Sequence, residues 1–370
     1  MYEGEQSHKS GGKRMYEKTT KEITMLANRI SSIRTFQKSF LHLIRKVIDF
    51  EAACFTIIDP ISFLSTGAFT DASVEKIHPQ LFMNEFLDDD FNKFKYLSEH
   101  SPHVAALSMA TNGEQKKSSR YRNILKPASF GDELRGVCIS KGKCFGHLSL
   151  FRGSTSPVFH IDDCKYLATI VPIAGEALKK AFPIPFSEEK VIGTGTIILS
   201  EDFNLLYWNQ DGSDWLSNLR KYEQLNIKEI PRPIRAVCSK VKANEYNVDC
   251  IRREEKVCIP LAYGHFLIIR ASKLECTSSF QAGYVVLFER ARPEEIFPLI
   301  MEVYSFTTRE KQVVRKILTG MSTKELAQEL CISIYTVQDH LKSIFEKTGV
   351  SSRNELVWEV FSRFCFDVDK

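Results

Sequence analysis

Three times between positions 307 and 355 a Ser or Thr is followed three residues later by Glu: Thr307 with Glu310, Ser322 with Glu325, and Ser352 with Glu355. At that spacing the hydroxyl can accept an N–H of the first helical turn while the carboxylate accepts the N–H of the capping residue, so each pair predicts a helix start. Val313, Val314, Ile317 and Leu318 give the first of these helices one apolar face, and Gly320 just beyond them predicts its end, since glycine takes up left-handed backbone without a Cβ clash. Cys331, Ile332 and Ser333 then separate a short second helix, 323–330, from a third that Ser333 can cap and Gly349 can end. Two helices joined by a tight turn, the second longer and basic, make a helix-turn-helix.

The third helix has two faces. At about 100° per residue, Val337, Leu341, Ile344, Phe345 and Thr348 fall on one side and are expected to face the other helices. Tyr335, Gln338, Asp339, Lys342 and Glu346 fall on the other. An amide, a carboxylate and an ammonium on one exposed face are groups that hydrogen-bond base edges in a major groove, which makes Tyr335, Gln338, Asp339 and Lys342 the candidates for base reading. Arg309, Lys324, Ser333, Thr336, Lys347 and Arg353 surround that face and are the candidates for phosphate contact.

On these residues the segment resembles the LuxR-type helix-turn-helix of bacterial transcription regulators. The matching pieces are Thr307-x-Arg309-Glu310 with Val313 and Val314, then Gly320-x-Ser322-x-Lys324-Glu325-Leu326-Ala327, then Ile332-Ser333-x-x-Thr336-Val337-x-x-His340-Leu341, and finally Lys347-x-Gly349-Val350-x-Ser352-Arg353. The resemblance implies an all-α four-helix domain over 306–370, double-stranded DNA as its partner, and a homodimer, with RNA polymerase as a further partner. Many members of that family carry Lys where this chain has Gln338, and Asp339 adds an anion beside it, so base preference does not transfer from a relative.

The rest of the chain is long enough for one or two further domains: at 370 residues it can bury full cores without disulfide staples. Hydrophobic residues at 43% and charged residues at 26% place it among globular proteins, and no apolar run reaches the roughly 18 residues of a membrane helix. The first residues lack the apolar core of a signal peptide, so the expectation is a cytoplasmic protein, with residues 1–19 a disordered tail. A net charge of +4 is too small for strong non-specific attraction to nucleic acid, so binding must come from a local patch. The ten cysteines show no CxxC pair; Cys138 with Cys144 and Cys250 with Cys258 are the nearest neighbours, read as reduced thiols.

Residues 20–49 carry apolar positions at threes and fours and predict one long amphipathic helix, which could lie across its own domain or meet a second subunit. Strands are expected at 53–58 and 61–66, helices at 74–86 and 91–97, and a hairpin of 134–140 with 144–151 turning at Gly142; a helix over 161–182 closes the block. Through Leu134-Arg135-Gly136-Val137 and the run from Cys144 to Arg152 this block, 20–182, resembles a GAF domain, which implies a small-molecule effector between sheet and helices. Pro183 and Pro185 mark a linker, 183–190. A second block, 191–292, with a strand pair, short helices and a strand triplet, is reminiscent of a degenerate PAS domain. A connecting helix follows over 293–305, where Pro298 is expected to kink or split it. The fold class is therefore two α+β sensor domains with antiparallel sheets, then the all-α domain.

Catalysis finds no foothold in the linear pattern. His100 and His103 with His78 upstream, and the run Asp88–Asp90, suit histidine contacts and a helix cap better than metal sites; Gly193-x-Gly195 lacks a third glycine; GxxxxGK[ST], GxSxG and HExxH do not occur. No enzyme activity and no cofactor are expected. The reading is a sequence-specific regulator; a recombinase or transposase that uses the helix-turn-helix for targeting, and a protein-interaction module, are the alternatives.

Overall fold

The computed structural model of the protein describes residues 3–182, 192–245, 255–261, 265–275 and 283–364. The proposed linker 183–190 and Cys250 lie outside the described residues. The chain falls into two compact units, one built on two sheets and another that takes in the helices from residue 290 onward.

The first unit opens with α1 (Glu3–Ala27) and α2 (Ile33–Arg45). Where the apolar period predicts one helix over 20–49, there are two, because the chain turns at 28–31 and Ser32 caps a new start by accepting from the Thr35 N–H. Helix α1 also begins well inside the stretch read as a tail. Its anchor is aromatic: Tyr16 stacks on Tyr166 with ring centroids 4.8 Å apart, and Thr19 and Ile23 are buried below it. Ile23, Ala27, Ile33, Phe36, Phe40, Leu41 and Ile44 of these helices are thus buried within this unit, whereas Met15 and Met25 of α1 are exposed.

Five strands, β1 (Ala52–Ile58), β2 (Ser65–Thr70), β3 (Val104–Ala106), β4 (Phe130–Ser140) and β5 (Lys143–Gly153), form an antiparallel sheet in the order β2-β1-β5-β4-β3. Between β2 and β3 lie α3 (Ala72–Glu75), α4 (His78–Leu87) and α5 (Phe94–Glu99), and α6 (Leu107–Ala110) follows β3. β2 starts later than its sequence suggests. The Asp59 carboxylate accepts from the Ile61 N–H and the Ser62 hydroxyl, which turns 59–62 over and puts Phe63 at φ 61° before the strand can begin. The β4–β5 turn places Lys141 and Gly142 at φ 50° and 76°, the two left-handed residues of a type I′ hairpin. α7 (Ile161–Ala181) lies on this sheet so closely that a Cβ on Gly175 would stand 2.5 Å from the Ile139 carbonyl oxygen.

The second sheet holds β6 (Gly195–Leu199), β7 (Leu205–Trp208), β8 (Glu255–Pro260), β9 (Phe266–Lys273) and β10 (Tyr284–Arg290), in the order β7-β6-β10-β9-β8. Strand by strand this repeats the order of the first sheet. Helices α8 (Gln210–Glu223) and α9 (Arg232–Glu245) separate β7 from β8. α9 joins the two lobes through ions: Arg232 pairs with Glu75 and stands 3.4 Å from Glu223, and Arg235 is 2.8 Å from Glu75, all with buried or nearly buried side chains. Two guanidinium groups against two carboxylates leave that junction formally neutral, which suits a site shielded from water.

The second unit contains α10 (Pro293–Val303), α11 (Thr308–Leu318), α12 (Thr323–Glu329), α13 (Ile334–Thr348) and α14 (Arg353–Phe364). Pro298 sits inside α10 without splitting it. Val313, Val314, Ile317, Leu326, Val337, Ile344 and Leu356 are buried and make the core of the terminal four helices.

Candidate nucleic-acid interface and effector cavity

The caps set the helix starts. Thr307 and Ser322 each accept at 3.3 Å from the backbone N–H of their Glu, and Glu310 and Glu325 each accept in return at 2.6 Å. The third pair is different: Ser352 accepts from the Glu355 N–H, yet the Glu355 carboxylate reaches back one residue further, to the Ser351 N–H. Ser333 caps α13 by accepting from the Thr336 N–H at 3.0 Å, and the two hydroxyls are 2.9 Å apart. Cys331 at φ 52° makes the turn between α12 and α13, and Gly349 at φ 73° ends α13.

These helices present one face of α13 to solvent. Tyr335 is 79% exposed, and Gln338, Asp339 and Lys342 are exposed beside it. None of the four has a side-chain hydrogen bond or ion pair among the described residues. Val337 and Ile344 are buried as the wheel predicts, whereas Leu341 and Phe345 are half-buried and line a shallow groove along the same helix with Gln338 and Lys342.

The six residues assigned to phosphate divide sharply. Lys324 is exposed and free of internal partners among the described residues. Arg309 donates to Gln312 and to the Leu330 carbonyl, which ties α11 to the end of α12. Arg353 donates to the Met321 carbonyl, which holds the start of α14 against the loop before α12. Lys347 lies 2.6 Å from the Glu310 carboxylate and 3.4 Å from the Ser305 carbonyl. Burial pushes the Glu310 carboxyl up, but donation from Lys347, Ser343 and the Thr307 N–H outweighs it and holds the group at about 2. Ser333 and Thr336 are engaged with each other. Sequence reasoning missed this internal role because an ion pair between α11 and α13 leaves no trace in linear spacing.

A second concavity lies in the first lobe, a cavity of about 650 Å³ between the sheet and α4 and α5. Thr56, His147 and Ser149 line it from β1 and β5, Phe82 and Phe86 from α4, Phe94 from α5, and Lys240 of α9 lies at its edge, over the Phe86 ring. Beside it runs a buried network. Arg120 grips Glu133 with two bonds of 2.7 and 2.9 Å, and Arg135 stands 3.1 Å from Glu133 and 3.0 Å from Glu85. Burial would raise the Glu133 carboxyl, but the two guanidinium groups hold it at about 2. The His147 ring stacks on Phe94 at 4.1 Å, and burial with the nearby Arg135 charge lowers it to about 3. Burial, then Arg235, Arg232 and Arg120, push His78 well below the usual imidazole range. His78 Nδ1, His147 Nε2 and Ser65 Oγ are buried without a hydrogen-bond partner among the described residues.

His100, His103 and Asp90 serve the fold. His100 and His103 use Nδ1 on the carbonyls of Tyr96 and Leu97, and Asp90 accepts from Ser119 and the Arg120 N–H. Among the described residues no group of three His, Cys, Asp or Glu side chains is placed to hold a metal, and no helix is long and apolar enough to cross a membrane.

Comparison with known proteins bears on the domain that carries the first of these two sites. Residues 304–360 match the family of bacterial regulatory proteins known as the luxR family, or GerE. Over 65 residues the chain is 40% identical to the transcriptional regulatory protein DesR of Bacillus subtilis, a match that covers 18% of this chain and 33% of DesR. Over 55 residues it is 46% identical to the transcriptional regulatory protein UhpA of Salmonella typhimurium, covering 15% of this chain and 28% of UhpA. The chain therefore spans about a third or less of these two relatives. Escherichia coli SdiA superposes over 94% of this chain and 98% of its own at 11% identity with a TM-score of 0.33, too loose a fit to carry an argument. The match, the caps and the free face of α13 agree on one domain: residues 304–360 are the helix-turn-helix of the luxR family of bacterial regulatory proteins.

Proposed function

We propose that this chain is a bacterial transcription regulator that binds specific duplex DNA through α13 and acts in the cytoplasm as a homodimer, without a catalytic step of its own. The observation that carries the reading is the division on the terminal domain. Tyr335, Gln338, Asp339 and Lys342 stand exposed with no internal partner among the described residues, while neighbouring cations are tied into the fold. In this reading the four exposed residues read bases, and Lys324, with the backbone N–H groups at the capped helix starts, contacts phosphate. Two-fold pairing of the chain would match two half-sites one helical turn apart. The sheet-bearing lobes would serve as the sensor, with the first-lobe cavity as the seat of an effector. RNA polymerase is the partner such a regulator addresses.

Selection of duplexes from a random pool by the full chain tests this directly. The expected result is a two-fold symmetric consensus bound with a steep salt dependence. Enrichment of no sequence, with affinity insensitive to salt, would favour a protein-interaction module instead.

A further inference from the structure

We propose that the cavity of the first lobe binds a small uncharged ligand with an apolar ring or chain and a hydrogen-bonding group on one edge. The inference rests on the sensor role proposed above and names the class of ligand that role requires. A volume of about 650 Å³ is that of a small-molecule pocket. Its walls are of two kinds. The rings of Phe82, Phe86 and Phe94 offer flat apolar surface, while Ser65 and His147 set polar side chains among them. His78 Nδ1, His147 Nε2 and Ser65 Oγ have no hydrogen-bond partner among the described residues, and unpaired buried polar atoms are rare in a finished fold unless something else completes them.

Charge decides the class. Of the charged groups in the cavity wall, Arg120 is held by Glu133 at 2.7 and 2.9 Å, Lys93 donates to the carbonyls of Asn84 and Asp88, and Lys240 lies over the Phe86 ring, with Glu85, Asp88 and Asp89 also in the lining. Arg135, outside the lining, stands 3.1 Å from Glu133 and 3.0 Å from Glu85. At the end formed by His78, His147 and Ser65, where the buried ions are already paired with one another, an anionic ligand would stand against carboxylates and a cationic ligand against guanidinium groups in a water-poor site. The two imidazoles are neutral rings, each with one N–H and one lone pair, and a hydroxyl complements them. An amide, a lactam or a hydroxyl satisfies such a set without adding charge.

The test is thermal unfolding of the full chain with fragments in matched triplets, a primary amide, a carboxylate and an aminomethyl ammonium, each on benzene, pyridine and cyclohexane rings. Amides are expected to raise the melting temperature, with the carboxylates and ammoniums giving at least about tenfold weaker binding. His147→Phe, which keeps ring volume, and Ser65→Ala, which removes one hydroxyl, should each weaken the amide response; if His147→Phe fails to fold, Ser65→Ala carries the comparison. Equal or stronger binding by the charged fragments, no response to any amide, or a response unchanged in both variants would overturn the proposal. The same preparation is assayed on the selected duplex: loss of the cavity result with duplex binding intact removes this inference alone, and absence of duplex binding removes the regulator reading.

Discussion

Lys347 Nζ lies 2.6 Å from Glu310 Oε2, so the cation near the end of α13 holds the carboxylate that caps α11. The same carboxylate accepts from Ser343, one turn before Lys347 on α13. One nearly buried acid therefore sets the start of α11 and the docking of α13 together. In the proposed reading, the angle at which the exposed face of α13 meets a groove depends on this pair, although neither residue lies on that face.

It follows that Lys347→Ala should act on stability first. Removing the ammonium leaves a nearly buried carboxylate short of its strongest donor, a loss of about 1–3 kcal/mol. The expected outcome is a lower melting temperature and an unchanged slope of log affinity against log salt. Lys324→Ala should do the opposite, leaving stability alone while weakening every duplex and reducing the magnitude of that slope by about 1. Thermal unfolding and binding at several salt concentrations, on both variants, separate the two. A lower slope for Lys347→Ala would return that residue to the phosphate set.

Acid should expose the same pair. The Glu310 carboxyl sits at about 2 in the folded chain, below its ordinary 4.5, so its contribution is fully present above the ordinary value and is lost as pH falls toward 2. Glu310→Gln mimics the protonated acid and lacks that contribution at every pH. The gap in terminal-domain stability between the native chain and Glu310→Gln is therefore expected to be widest at neutral pH and to close between about pH 4.5 and 2. Circular dichroism melts across that range measure it, and a gap that stays constant would assign the effect to packing.

The terminal domain was far more legible than the lobes, for physical reasons. Capping boxes, a left-handed glycine and a 3.6-residue apolar period are local, and all three put α11, α12 and α13 where they lie. Exposure on α13 followed from the same period. What the residues at those positions bond to did not, because Arg309 with the Leu330 carbonyl and Arg353 with the Met321 carbonyl are contacts between elements. In the first lobe β1 and the hairpin at Gly142 were readable, while β2 was read too early and β3 not at all, and the buried set of Arg120, Glu133, Arg135 and Glu85 was not readable: its charges are spread over α4, β4 and the segment before β4. The break between α1 and α2 was missed because the apolar spacing runs on through Ile30, while the deciding signal is the cap at Ser32.

Tyr16 offers a test of that N-terminal packing. Its ring stacks on Tyr166 of α7 and it precedes Ile23, which is fully buried. Tyr16→Ala should cost about 1–3 kcal/mol, mostly through lost aromatic area, and should loosen the first turns of α1. Unfolding in denaturant reads the energy, and amide exchange over residues 14–27 reads the loosening. If exchange there is unchanged, α1 is held by α2 alone.

The exposed face of α13 carries the most specific expectation. Gln338 and Lys342 lie one turn apart, both exposed and both without an internal partner among the described residues. An amide can pair bidentately with adenine, and an ammonium can donate to the acceptors of guanine. Gln338→Ala and Lys342→Ala are each expected to cost about 1–3 kcal/mol on the selected site and to relax preference at particular base pairs, with little change on a scrambled duplex. Because neither side chain supports the fold, both variants should unfold at the temperature of the native chain. Binding series on the two duplexes at matched salt decide the matter. If Lys342→Ala weakens the selected and scrambled duplexes equally, Lys342 contacts phosphate, and the helix is rotated in the groove so that Tyr335 and Asp339 lead the reading of bases.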